Sequence, residues 1–221
     1  MAADGTWDDA RWHRYGLLAG VAFAVLNVIS VLAAGSPPAR DASAVKIGEY
    51  FVDNADGMKL AAILFGLSLI FGLWWLGSLW RVIGRLEPAG PRLALIAVLG
   101  FVMSGAVASV GQALLVTPAL RIDTLGGTAE FVWSAGYVTF SFVLAVTAAH
   151  MLALGALVLW TKFLPAWLGW LALLSALGCA IATFGAGTEA AVFAAAQLIG
   201  FLAWLLWVLI ASILLYTRAE A

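Results

Sequence analysis

The stretch FVWSAGYVTFSFVLAVTAAHMLALGALVLW, Phe131 to Trp160, runs for thirty residues without one Asp, Glu, Lys or Arg. A hydrocarbon core about 30 Å thick takes about 20 apolar residues of helix to cross, so this run spans a membrane with length to spare. Thirty residues make a helix of about 45 Å at 1.5 Å per residue. Such a helix must tilt or project beyond the core, and Ser134, Tyr137 and Thr139 mark its first turns as the projecting end.

Working outward, five more charge-free runs cover Gly16 to Gly35, Leu60 to Trp80, Leu93 to Thr117, Trp167 to Gly185 and Val192 to Tyr216. Every charged residue lies in a connection or tail. Helices are the expected form, because a strand edge open to lipid leaves backbone N–H and C=O groups unpaired. A barrel is not expected, since the runs are continuously apolar rather than alternating at period two. The sequence therefore predicts an all-α, polytopic membrane helix bundle of six transmembrane helices, with a tail over 1–15, a membrane domain over 16–216 and a second tail over 217–221.

Composition agrees. The 221 residues are 64% hydrophobic and 10% charged, where a soluble domain carries about 25% charged residues. The net charge of −1 comes without a basic tract, so nucleic acid has no electrostatic footprint to bind. Membrane lipids are the expected partner, with a second copy of the chain or another membrane protein beside them. The lone cysteine, Cys179, has no partner for an intrachain disulfide; with Ser175, Gly178 and Ala182 around it, it reads as a small residue on a packing face. Eight arginines against three lysines and abundant alanine fit the usage of a high-GC bacterium.

Basic residues in short flanks are retained in the cytoplasm. Arg11, Arg14, Arg81, Arg85, Arg92, Lys162 and Arg218 fall on one side; Arg40, Lys46, Lys59 and Arg121 fall on the other. The bias puts both termini in the cytoplasm of a bacterium, with the chain in its inner membrane. Trp12, Trp74, Trp75, Trp80, Trp160, Trp167 and Trp170 form the expected interfacial belt at the same boundary. Arg11 and Arg14 ahead of the first run, with Ala33-Ala34-Gly35 after it, resemble a secretory signal. The run is longer than an ordinary signal core of about 7 to 15 residues and contains Asn27 and Ser30, so it reads as a retained span.

In the long outer connection from Ser36 to Lys59, Pro37-Pro38 stops the first helix and Asp41 or Ser43 is placed to cap another. Val45, Ile47, Gly48, Phe51 and Val52 oppose Asp41, Lys46, Glu49 and Asp53, the pattern of a short interfacial helix serving as a lid or as a gate. Gly126-Gly127 marks a flexible connection, and Thr128 and Thr188 are candidate caps of the spans that follow.

Four polar residues lie within the runs: Asn27, Gln112, His150 and Gln197. Each belongs to a stripe of small residues at helical spacing: Gly16, Gly20, Ala24, Asn27, Ser30 and Ala34; Gly100, Ser104, Ala108 and Gln112; Gly136, Thr139, Thr147, His150 and Ala153; Ala194, Gln197 and Gly200. Small residues permit close helix approach, and amides and hydroxyls bond across helices. His150 is the one ionisable group deep in a span, so it is either a neutral packing residue or a proton or ligand site. Facing inward together, the four would line a polar pocket opening outward.

Enzyme chemistry has little to stand on. A zinc site needs three or four ligands, and the two histidines are His13 and His150. Ser104, Ser134 or Ser141 could pair with His150, but Gly-x-Ser-x-Gly is absent. There is no phosphate-binding Gly-rich loop with Lys-Ser/Thr and no intramembrane lysine for a retinal Schiff base. No cofactor is implied.

Leu164-Pro165-Ala166-Trp167-Leu168-Gly169-Trp170-Leu171, a short turn opening the fifth span, resembles uncharacterised six-span bacterial integral membrane proteins of unknown function, of the type common in actinobacteria. Their first outer loop carries a similar Ala-rich helix ending in an Asn/Asp-rich turn, here Asp41 to Lys59 with Phe51-Val52-Asp53-Asn54. The resemblance runs loosely over Tyr15 to Tyr216 and implies six spans and no assigned activity. The function expected from the sequence is a non-enzymatic structural, partner-binding or lipid-binding component, with a small transporter or channel around Asn27 and His150 as the alternative.

Overall fold

A computed structural model describes residues 9–39, 41–121, 128–187 and 190–218. Seven helices follow in order among them: α1 (Asp9–Ala33), α2 (Ala44–Asp53), α3 (Ala55–Ile83), α4 (Arg92–Leu120), α5 (Ala129–Thr161), α6 (Ala166–Thr183), continued by a 3-10 turn at Phe184–Gly187, and α7 (Ala191–Arg218). No strand occurs among the described residues. Six helices, all but α2, are long and apolar enough to cross a membrane. The chain is a multi-pass membrane protein. Gly126-Gly127 and the Thr188 cap lie outside the described residues.

The six long helices close into a ring. Each packs on the next along the chain, α1 on α3, α3 on α4, α4 on α5, α5 on α6 and α6 on α7, and α7 returns to α1. Neighbours run antiparallel. Along α4 and α5, for example, a Cβ on Gly100 would meet His150, one on Gly111 would meet Phe140, and one on Gly136 would meet Leu115. Large side chains such as Leu32, Ile63 and Leu177 point outward, where lipid rather than water must solvate them.

Lipid tails are as apolar as leucine, so burying apolar surface does little to press these helices together; close packing and interhelical hydrogen bonds must do it. The small-residue stripes are where this happens. A Cβ on Gly16 would stand against Ser78, one on Gly20 against Ser212 and Trp75, and one on Gly178 would lie 2.9 Å from the carbonyl oxygen of Ala196 and the Cα of Gly200. Ser30 Oγ donates to the Ala61 carbonyl at 2.8 Å, Ser175 Oγ to that of Gly200 at 2.8 Å, and Trp207 Nε1 to that of Leu168 at 3.0 Å. Cys179 is fully buried beside Gly200.

Two expectations change here. Trp75 is fully buried; it belongs to the core and not to the belt, because it faces Gly20 of α1, where only a residue without a side chain leaves room for an indole. Ala194 is exposed, so it stands off the close contact, which α7 makes at Ala196 and Gly200.

The excess length of α5 has a use. At 33 residues it is about 50 Å long against about 27 Å for the 18 residues of α6, at about 1.5 Å per residue. The two are level where Gly155 meets Gly169, so the first turns of α5 rise past the end of α6. Helix α2 lies against them. Ile47, Tyr50 and Phe51 bury their side chains with Met58, Ala119, Ala129 and Trp133, and Phe51 and Trp133 meet edge to face at 5.8 Å. Tyr50 Oη donates to the Ala34 carbonyl at 2.7 Å, tying α2 to the end of α1; burial, and then Tyr137, push its ionisation up to about 12, so it stays a donor at neutral pH. Ser43 takes the N-cap position of α2 and Thr128 that of α5, in each case without a side-chain capping bond.

Gly178→Ala places its methyl against backbone that cannot rotate away, and should cost about 1 to 3 kcal/mol. Gly66→Ala, with nothing within 4 Å, should be neutral or stabilising by under about 1 kcal/mol. Thermal unfolding in one detergent compares the two; equal effects would contradict the α6–α7 contact.

Candidate functional site

The centre of the ring is built around Phe101 of α4. Its ring lies 5.4 Å from Phe23 of α1, 5.5 Å from Trp75 of α3, 5.6 Å from His150 of α5 and 6.4 Å from Trp204 of α7. Phe23 and Trp204 meet edge to face at 5.5 Å. Five of the six long helices thus contribute an aromatic ring to one cluster. Below it toward the chain termini the core continues through Leu79, Ile83, Leu157, Leu168 and Trp207.

His150 is 1% exposed. Gly100 explains how it fits, since a Cβ there would come within 2.9 Å of the His150 Cβ and 3.2 Å of its backbone nitrogen. That close approach carries the imidazole to α4, where Nδ1 sits 2.6 Å from the Ala97 carbonyl oxygen. A carbonyl only accepts, so Nδ1 carries the proton, and in the neutral ring Nε2 holds the lone pair. One turn along, Ser104 and Thr147 share a hydrogen bond of 3.0 Å across the same interface. Nε2 of His150 has no hydrogen-bond partner among the described residues, and neither do the indole nitrogens of Trp75 and Trp204.

The other three polar residues stand apart from this arrangement. Asn27 is buried and donates its amide back to the Phe23 carbonyl of its own helix at 2.9 Å, one turn along α1 from the aromatic cluster. Gln112 is half-buried, and the tight contact of its helix passes through Gly111, which faces Phe140. Gln197 is also half-buried, one turn before the close contact at Gly200. Among the described residues no group of three His, Cys, Asp or Glu side chains converges. Sequence reasoning did not single out Phe101 or Trp204 and placed Trp75 in the interfacial belt, because an aromatic residue in an apolar run reads as lipid-facing or core alike.

Two crevices lie elsewhere, at the end of the bundle that holds the chain termini. One of about 350 Å³ separates the first turns of α1 from the C-terminal half of α3, with Trp12, Trp74, Ser78 and Arg81 in its walls. A second, of about 230 Å³, adjoins it at Arg81. The nearby carboxylate of Glu87 accepts from the backbone N–H groups of Leu93 and Ala94 at 3.1 and 2.9 Å, closing the N-terminus of α4 as a negative charge does best.

No family model, curated protein or solved structure matches the chain.

His150→Ala removes both the imidazole contacts and the bond to Ala97, and should destabilise the protein by about 2 to 4 kcal/mol. His150→Asn keeps an amide where Nδ1 was and should recover about 1 kcal/mol of this. Denaturant titration in detergent reads both; identical losses would mean that the Ala97 bond contributes nothing.

Proposed function

We propose that this is a non-enzymatic component of a bacterial inner membrane, with both termini in the cytoplasm, which acts by binding lipid or a membrane partner on its surfaces. The observation that carries this reading is the use made of the buried polar groups. Ser30, Ser104, Thr147, His150, Ser175 and Trp207 each bond across to a neighbouring helix, which is what holds a bundle together in lipid. None of these groups needs a substrate to satisfy that bond. The cytoplasmic assignment of the termini rests on the seven Lys and Arg residues at their end against four at the other, and α2 is read as lying in the opposite interface. The likeness of the Leu164 to Leu171 turn to six-span families of unknown function supports the architecture and brings no catalytic residue with it.

A small transporter or channel is the second reading, and one observation favours it: three unpartnered ring nitrogens, on His150, Trp75 and Trp204, surround Phe101. An intramembrane ionisable side chain is ordinarily a marker of a proton or substrate path.

Reconstitution into vesicles containing a pH-sensitive dye, under an imposed K⁺ diffusion potential, separates the two. Surface binding predicts that wild type and His150→Ala leak protons at the rate of protein-free vesicles. A proton flux present in wild type and lost in His150→Ala would replace the first reading with the second.

A further inference from the structure

We draw no further inference here: the strongest candidate, the cluster around Phe101 at the centre of the ring, where the ring nitrogens of His150, Trp75 and Trp204 find no hydrogen-bond partner among the described residues, belongs to the site already described and points to no ligand beyond the proton path drawn from it.

Discussion

The contact on which the rest of the ring depends is the one between Gly100 and His150. In water, apolar burial would draw α4 and α5 together whatever stood at position 100. In lipid that force is missing, and what remains is dispersion between surfaces that can approach closely and hydrogen bonds that can be completed only across the gap. A side chain at position 100 would hold α5 off. With glycine there, the imidazole reaches the Ala97 carbonyl at 2.6 Å and Ser104 reaches Thr147 at 3.0 Å. The same logic recurs at Gly20 beneath Trp75 and at Gly178 against Gly200, so the ring closes through contacts of one type. Each is sensitive to a single methyl group.

The bundle is organised in two parts with different jobs. Toward the termini a continuous core of large apolar side chains joins all six spans. Toward the other end α4 and α5 outgrow α6, and α2 closes over their projecting turns with Phe51 and Trp133 at the centre of the contact. The extra turns of α5 are the floor on which a short amphipathic helix rests. Tyr50 donates to the Ala34 carbonyl beyond the end of α1, and Asn54, which follows α2, donates its side-chain amide back to the Tyr50 carbonyl, which makes α2 part of the frame.

Much of this could be read from the residues. Charge-free length alone set the six spans, and the projecting end of the fourth run followed from Ser134, Tyr137 and Thr139. Helix bounds shifted outward because a helix does not stop at the edge of the apolar run: α3 takes in Asp56 and Lys59 before it and Arg81 after it. Glycine stripes pointed to the right faces on α1, α4 and α5, because a small residue at helical spacing has few uses other than close packing. Less legible was which aromatic residue faces in. Trp74 and Trp75 are adjacent, and a shift of about 100° around the helix separates a wall of the larger crevice from the centre of the ring. The site residues Asn27, Gln112, His150 and Gln197 share a sequence pattern, but whether four polar groups meet depends on helix rotation that one-dimensional spacing does not encode.

The central claim is that the ring is closed and close-packed around Phe101. It is tested most directly by replacing Asn27 and Ser104 singly with cysteine in a Cys179→Ala background and labelling with a small membrane-impermeant thiol reagent, in intact cells and in inside-out vesicles. Ser43→Cys and Gly90→Cys serve as loop controls. The account predicts that each control labels from one side only and that neither position 27 nor position 104 labels from either. Labelling of either buried position at a rate comparable to its loop control would contradict it, because water would then reach the middle of the bundle.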